Sequence, residues 1–499
     1  MSAILEGFRH VLAIEPMLIV SLGVLVGCVI GAIPGLSGSM LIAIMLPFTV
    51  YLSPSAALVL LVGIYIGGVS GGLITASLLR VPGTAASIVT TFDGYPMARA
   101  GRPERAIGLG ILASFVGGLI SWVFLVATAP ALARAALRFS TYERTSLVLM
   151  AMVMIAAVGR GSFGKSMLSG MFGMLIALPG IDPVTSRLRL TFGSTQMLGG
   201  FAMIPILIGL FGVGQVLTDV LERESPKVEA VKVTFRRMFP SLTELKQSIG
   251  NLVRSSLIGT GVGILPGAGA TLGSITAYSV AQSASKTPER FGHGSEEGIM
   301  ASEAANNATI AGALIPTLTL GIPGSPITAL MLAAFVLHHV PVGPLLFRDR
   351  PEVVYTIMAT VFVANLLMFF LMIGLTFVMA RITEISKRFL SPAILVFCIM
   401  GSYAFNNRFF DVWVMLGFGC LGFLMEKAKV PLSPFIIGFI LTPMLERNLR
   451  SALMHSRGSF LPFVSRPISA AFLAIAVLSV LLSIHAFVRR RRKKKSMKS

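Results

Sequence analysis

The stretches GCVIGAIPG at 27–35 and GTGVGILPG at 259–267 are two copies of one glycine and proline pattern, and both lie in hydrophobic sequence. Each copy is followed along the chain by a second Pro-Gly pair beside a hydroxyl residue, PGT at 82–84 and PGS at 323–325. Proline removes a backbone donor and glycine weakens a helix, so all four places predict helix breaks. A break inside a membrane is tolerated only where protein, ion or water satisfies the freed backbone groups. The pattern therefore predicts a binding site.

The composition identifies the class of protein. Hydrophobic residues make up 55% of the 499 residues, charged residues 12%, and the mean hydropathy is +0.84. These values exclude a water-soluble globular protein. Since about 20 apolar residues cross a bilayer as a helix, we predict an all-α polytopic membrane protein with about 12 transmembrane spans. The clearest apolar windows are 56–78, 107–129, 196–217, 352–380 and 467–488.

The net charge of +20 does not indicate a nucleic-acid partner, because the basic residues cluster in polar connections and in one tail. Seven successive cations, Arg489 to Lys495, follow the last apolar span directly. The positive-inside bias places such a run on the cytoplasmic side, where it also faces anionic lipid. We therefore expect a cytoplasmic C-terminus and the lipid bilayer as a partner.

The order of the breaks predicts two membrane repeats, at 1–221 and 249–466, with broken or re-entrant helices at the Pro-Gly motifs. Between them lies a polar linker at 222–248, expected to be cytoplasmic, and residues 467–499 form the final span and the basic tail. The second repeat is nine residues longer between its breaks, which a polar insertion segment at 285–295 accommodates. Repeats with broken helices are typical of secondary transporters. The alternative is that the small residues only let helices pack closely.

A capping-box pattern lies within the linker. Ser241 stands three residues before Glu244, which predicts a helix beginning at that point.

Small and hydroxyl residues follow each first break, at 36–39 and 268–271. If a helix begins just after each run, its unpaired amides and the positive end of its dipole face the break. Such a place binds anions without a cationic side chain, and carboxylates are its natural ligands. Thr84 and Ser325 are the corresponding hydroxyl residues after the second breaks.

Glu303, Asn306 and Asn307 stand at positions i, i+3 and i+4, which share one face of a helix. One carboxylate with two amide oxygens can coordinate Na⁺ or carry a proton, and ionisable groups in membrane segments commonly serve a site. The sequence leaves open which of the two cations is used. It also leaves open that Glu303 lies in a hydrated loop while the asparagines bond neighbouring backbone.

Five blocks together resemble the large membrane subunit of the tripartite tricarboxylate transporters. They are GAIPGLSG at 31–38, GGLITASLLRVPGT at 71–84, FDGYPMARAG at 92–101, GILPGAGAT at 263–271 and EAANNATIAGALIPTLTLGIPGS at 303–325. The resemblance spans most of the chain. It implies a permease of the bacterial inner membrane that imports citrate-like tri- or dicarboxylates by cation coupling, without a cofactor. It also implies two partners, a small membrane subunit and a periplasmic solute-binding protein; homo-oligomerisation is left open.

Arg80 departs from the family pattern, which usually has a polar uncharged residue there, often asparagine. Its guanidinium could clamp a substrate carboxylate. The alternative is an arginine that extends to the membrane surface or pairs with a neighbouring chain. The predicted substrate-binding residues are Pro34, Gly35, Ser37, Gly38, Arg80, Pro82, Gly83, Thr84, Pro266, Gly267, Gly269, Thr271, Pro323, Gly324 and Ser325.

The competing class is an intramembrane serine protease, since residues 35–38 and 68–71 both match G-x-S-G. A nucleophilic serine needs a base, and His338 and His339 are the candidates in apolar sequence. Nothing in the spacing brings either histidine to Ser37 or Ser70. The chain also has no H-E-x-x-H motif and no P-loop. We therefore expect a transporter rather than an enzyme.

Overall fold

The computed structural model describes residues 2–33, 35–158, 163–182, 184–221, 238–382 and 387–496. Its regular structure in these ranges is helical apart from one short hairpin, in which β1 (Gly180–Ile181) pairs antiparallel with β2 (Leu188–Arg189). The all-α prediction is thus confirmed for the described residues. Most of the predicted linker, at 222–237, and Pro34 lie outside them.

The linker divides the helices into a first half, before residue 222, and a second half, after residue 237. Those before residue 222 are α1 (Ser2–Val11), α2 (Ile14–Gly31), α3 (Gly38–Met45), α4 (Pro54–Leu79), α5 (Gly94–Arg99), α6 (Pro103–Ala136), α7 (Thr141–Val158), α8 (Phe163–Ile176), α9 (Met203–Ile208) and α10 (Gly214–Leu221). Those after residue 237 are α11 (Leu242–Ile264), α12 (Gly269–Ala284), α13 (Glu296–Leu320), α14 (Pro326–Leu337), α15 (Pro344–Asp349), α16 (Pro351–Ile382), α17 (Lys387–Asn406), α18 (Phe409–Lys427), α19 (Leu432–His455), α20 (Leu461–Ser465) and α21 (Pro467–Ser496). Short 3₁₀ turns cover Leu46–Tyr51, Val89–Phe92, Thr195–Met197 and Pro288–Arg290, and a π segment at Gly209–Val213 joins α9 to α10.

Seven helices of the described ranges are long and apolar enough to cross a membrane. They are Ile14–Gly31, Pro54–Leu79, Pro103–Ala136, Met203–Leu221, Pro351–Val378, Phe409–Lys427 and Pro467–His485. Each of the five predicted apolar windows overlaps one of them, and the chain is a polytopic membrane protein. The predicted number of about 12 spans stays a prediction. Helices α3 and α14 are too short to be among the seven, and α13 carries polar residues although it is buried along almost its whole length.

In the first half, helices end at both predicted breaks. After α2 ends at Gly31, the next helix, α3, begins at Gly38, and the Ser37 hydroxyl caps it by accepting from the Met40 amide at 3.1 Å. Helix α4 ends where Arg80 takes a left-handed conformation with φ 57°.

In the second half, α11 ends at Ile264, α12 begins at Gly269, and α13 ends at the left-handed Gly321. The predicted capping box is confirmed: the Glu244 amide donates to the Ser241 hydroxyl at 3.3 Å, and the Glu244 carboxylate accepts from the Ser241 amide at 2.7 Å. Helix α11 therefore starts as the sequence indicates.

Glycines set the approach of α2 to α4 and of α11 to α13. A Cβ on Gly31 would lie 2.4 Å from the Gly68 carbonyl oxygen, and a Cβ on Gly263 would lie 2.6 Å from the Thr309 carbonyl oxygen. These contacts involve backbone, which cannot move aside as a flexible side chain can. The two helix pairs therefore pack at backbone contact.

The second Pro-Gly pairs return to the first breaks in both halves. A Cβ on Gly83 would lie 2.2 Å from the Gly31 carbonyl oxygen, and one on Gly324 would lie 2.6 Å from the Gly263 carbonyl oxygen. Only glycine lets the backbone come so close. In each half the two breaks are therefore in direct contact.

Candidate functional site

A cavity of about 700 Å³ lies where the four breaks meet. Both halves contribute lining segments, 37–39 and 84–86 from the first, 267–272 and 325–327 from the second. The turn between α18 and α19 completes the wall. The cavity therefore lies between the halves rather than inside either one.

Some of the predicted substrate-binding residues line this cavity and others do not. Those in the lining are Ser37, Gly38, Thr84, Gly267, Gly269, Thr271 and Ser325. Those outside it are Gly35, Arg80, Pro82, Gly83, Pro266, Pro323 and Gly324. Among these, Gly83 packs on the Gly31 carbonyl and Gly324 packs on the Gly263 carbonyl, so each holds a second break against a first break.

The polar groups of the four breaks are hydroxyls and backbone amides. In the first half, the Thr84 amide donates to the Ser87 hydroxyl at 3.1 Å. In the second half, the Ser325 amide donates to the Thr328 hydroxyl at 2.9 Å, and the Thr328 amide donates back to Ser325. The two second breaks thus end in the same local turn, with small side chains toward the cavity.

Tyr65 is a lining residue that the sequence analysis did not identify. Its hydroxyl lies 3.1 Å from the Ser325 hydroxyl, so a buried hydrogen bond joins α4 to the second half at the cavity wall. The only available signal was a tyrosine within the apolar run 56–78, since a buried tyrosine usually has a partner for its hydroxyl.

Arg80 is exposed at the end of α4, with its guanidinium 5.8 Å from the centre of the Tyr95 ring. This contact is a cation–π interaction with the same chain. A role for Arg80 as a carboxylate clamp stays a prediction.

Glu303 lies in the middle of α13 and is fully buried, so it is not in a hydrated loop. Its carboxylate accepts hydrogen bonds from the Thr90 hydroxyl, from Ser114 Oγ at 3.3 Å and from Asn306 Nδ2 at 3.4 Å. Thr90 and Ser114 belong to the first half. A buried carboxylate of the second half is therefore surrounded by donors from both halves.

The two asparagines differ in their bonding. Asn307 Oδ1 accepts from the Ser70 hydroxyl at 2.7 Å, which joins α13 to α4. Asn306 is 1% exposed, and its Oδ1 is a buried acceptor without a hydrogen-bond partner in the described part of the chain. A buried unpaired oxygen costs free energy unless a donor or a cation reaches it.

Thr90 and Ser114 were also missed from the sequence. Thr90 lies in the 3₁₀ turn after the second break, and Ser114 lies on α6. Helix α6 comes close to α13 because Gly117 packs on the Ala304 carbonyl, where a Cβ would lie 2.1 Å away. This packing brings the Ser114 hydroxyl to Glu303, and the 3₁₀ turn at 89–92 brings the Thr90 hydroxyl.

No group of three or more His, Cys, Asp or Glu side chains in the described ranges could hold a metal ion. A cation at Glu303 would therefore rely on one carboxylate and on neutral oxygens. Neither serine of the G-x-S-G matches contacts a histidine in the bonds observed: Ser70 bonds Asn307 and the Ile66 carbonyl, and His338 Nε2 lies 3.2 Å from the Thr49 hydroxyl.

Comparison with known proteins identifies the family. The profile of the tripartite tricarboxylate transporter TctA family matches residues 17–437, which is more than half of the chain. The chain belongs to this family. It is therefore the membrane component of a tricarboxylate transporter, in a family of transporters rather than of enzymes.

Two relatives from Agrobacterium vitis agree with this assignment. A protein described as an uncharacterized 52.8 kDa protein in the TAR-I ttuC′ 3′ region is 36% identical over 472 residues, covering 95% of this chain and 94% of the relative. A second, described as an uncharacterized protein in the TAR-II ttuC′ 3′ region, is 38% identical over 234 residues, covering 47% of this chain and 97% of the relative. No solved structure matches the chain.

The block FDGYPMARAG acquires a physical role from the structure. The Asp93 carboxylate is fully buried, and its Oδ1 accepts from the amides of Gly292, Gly294 and Ser295 at 2.8, 3.0 and 2.8 Å. Its Oδ2 accepts from the Tyr278 hydroxyl at 2.8 Å. Asp93 of the first half therefore holds the end of the insertion segment of the second half.

Proposed function

We propose that this chain imports citrate-like tri- or dicarboxylates across the bacterial inner membrane by coupling to a cation. The observation that carries the proposal is that all four breaks contribute to one cavity between the halves. In this proposal the protein comprises two membrane repeats with about 12 crossings, and the substrate is bound where the repeats meet.

The chemistry of the cavity supports an anionic substrate. Helices α3, α12 and α14 begin at the lining, so their first amides and dipole ends are directed toward it. Ser37 caps α3 and Ser325 caps α14, whereas no side chain caps α12, so the start of α12 supports anion binding best. A carboxylate accepts such bonds well, because charge-assisted hydrogen bonds are the stronger ones.

The charge of the substrate supports coupling. Moving a trivalent anion into a cell against 100 mV, negative inside, costs about 7 kcal/mol. Concentrative import therefore requires the entry of at least as many positive charges. Glu303 with Asn306 and Asn307 is the proposed site for one of them, Na⁺ or H⁺, and the unpartnered Asn306 Oδ1 supports this role because it provides a free ligand.

The family name supports the partners that we propose: a small membrane subunit and a periplasmic binding protein that delivers the substrate. The basic run at 489–495 supports a cytoplasmic C-terminus. A reporter fused after Ser499 that is active only outside the inner membrane would contradict this orientation.

Uptake of radiolabelled carboxylates tests the proposal. Cells carrying the chain with its neighbouring small subunit and binding protein are given citrate, succinate and other di- and tricarboxylates under imposed Na⁺ or H⁺ gradients. We expect accumulation that depends on one cation gradient and on all three proteins. Accumulation that is the same with and without the Na⁺ and H⁺ gradients would contradict the coupling. An absence of carboxylate uptake would contradict the substrate class.

A further inference from the structure

One wall of the cavity comes from the turn between α18 and α19, residues 428–431, which the sequence analysis did not consider. The charged residues among the lining residues are Glu426 and Lys429. Both side chains are exposed. Among the described residues that line the cavity, Lys429 is the one cation.

The backbone of Lys429 is in a conformation that lysine rarely adopts. Its φ is 56°, in the left-handed region, and its amide donates to the Glu426 carbonyl at 2.9 Å while the Val430 amide donates to the Met425 carbonyl at 2.7 Å. This is the helix-ending motif in which glycine is the usual residue. A lysine here costs conformational free energy relative to glycine.

Helix α8 fixes this turn from both sides of Lys429. Lys165 Nζ donates to the Ala428 carbonyl at 2.5 Å, and Ser169 Oγ donates to the Pro431 carbonyl at 2.6 Å. These two bonds restrain the backbone that carries Lys429 at the cavity wall.

The ammonium of Lys429 has no ion-pair partner in the described part of the chain. The neighbouring Glu426 carboxylate accepts a hydrogen bond from the Thr218 hydroxyl at 3.1 Å. The other donors of the described lining are neutral hydroxyls and amides. Lys429 therefore offers a further carboxylate a charged partner, and charge-assisted hydrogen bonds are the stronger ones.

We propose that Lys429 is the cationic contact for a second substrate carboxylate and makes the cavity selective for anions with more than one. This inference rests on the proposed function. Loss of the ammonium removes one exposed ion pair with the substrate, which we expect to raise KM about fivefold for citrate and succinate. Binding of a monocarboxylate does not use the contact and is expected to be unchanged.

Lys429→Gly is the most informative variant, because glycine favours the backbone conformation and the fold is expected to be retained. Lys429→Arg restores the charge. Lys427→Gln is the matched control: that lysine is two residues away, lies over the Phe423 ring at 5.8 Å and is outside the lining. The readouts are KM for citrate and succinate, the inhibition constant of propionate, and the melting temperature of each purified variant.

The proposal predicts a KM about fivefold higher for both substrates in Lys429→Gly, an unchanged inhibition constant for propionate, and values near those of the parent in Lys429→Arg and Lys427→Gln. An unchanged KM in Lys429→Gly, an equal loss for propionate, or the same loss in Lys427→Gln overturns it. If the parent transports citrate or succinate and Lys429→Gly does too with equal KM, the inference alone fails. If the parent transports no carboxylate, the proposed function fails and the inference with it.

Discussion

The helix pair α2 and α4 and the helix pair α11 and α13 share a backbone arrangement but differ in polarity. In both pairs glycines bring the first helix against carbonyls of the second, and the following Pro-Gly pair returns to the first break. The arrangement is therefore present twice. It gives four chain breaks that face one cavity.

The side chains of the second helix of each pair are different. Helix α13 carries Glu303, Asn306 and Asn307. When the two pairs are aligned on their glycine contacts, the corresponding positions of α4 carry Val62, Tyr65 and Ile66. Helix α4 instead supplies partners to the second half, Tyr65 to Ser325 and Ser70 to Asn307. The difference indicates that the repeated backbone builds the cavity, whereas one half alone carries the ionisable group.

The largest effect is expected from filling the glycine contacts. Gly31→Val and Gly263→Val each push a side chain into a backbone carbonyl, which we expect to destabilise the protein by about 3 kcal/mol. Melting temperatures in detergent measure this. Gly261→Ala is the control on α11, because a Cβ there meets nothing within 4 Å, and no loss is expected. A large loss in one half only would show that the two pairs are not equivalent.

The next largest effect is expected at Glu303, in the second half. Glu303→Gln keeps the size of the side chain but removes its charge and replaces one acceptor oxygen by a donor. We expect cation-driven accumulation to fall about 100-fold, which corresponds to a loss of about 3 kcal/mol. Uptake into vesicles under imposed gradients measures it. Glu297→Gln, an exposed change on the same helix, serves as the control and should behave as the parent does. Full cation dependence in Glu303→Gln would contradict the assigned site.

A smaller effect is expected where α4 contacts α13. Ser70→Ala leaves Asn307 Oδ1 without its donor, at a cost of about 1–3 kcal/mol, which should reduce the rate of uptake without abolishing it.

Ser37→Ala removes the cap of helix α3, which is worth about 1 kcal/mol, and should also retain transport. Complete loss in both variants, with proteolysis by the parent, would instead favour the serine protease.

The smallest effect concerns the cavity wall. Tyr65→Phe removes the hydrogen bond to Ser325 while keeping the ring, at a cost of about 0.5–1.5 kcal/mol. We expect KM for the transported carboxylate to rise by less than about tenfold, with the melting temperature almost unchanged. A change in melting temperature with no change in KM would mean that the bond only joins the halves.

The sequence predicted the features that depend on local chemistry. Proline and glycine act on their own backbone, so all four breaks were visible, and the spacing of Glu303, Asn306 and Asn307 placed them on one helix face. The capping box at Ser241 was visible for the same reason.

Features that depend on tertiary packing were not predicted. Thr90, Ser114 and Tyr65 reach their partners across distances of about 190 to 260 residues in the chain, and no local pattern reports such contacts. The sequence did not single out Lys429, because its left-handed backbone and its place in the cavity lining appear only in the structure. Arg80, for which the sequence left a carboxylate clamp and a surface arginine open, lies outside the cavity lining. The number of spans was not fixed either, because a buried helix such as α13 need not be apolar.

Substrate protection of single cysteines tests most directly whether both halves form one carboxylate site. Ser39→Cys and Thr271→Cys lie in the lining on opposite halves, and Cys420, the exposed native cysteine, is replaced by serine. We predict that citrate or succinate, whichever the uptake assay identifies as transported, slows maleimide labelling of both positions with the same half-maximal concentration. Protection of one half only, or of neither, would contradict a shared site.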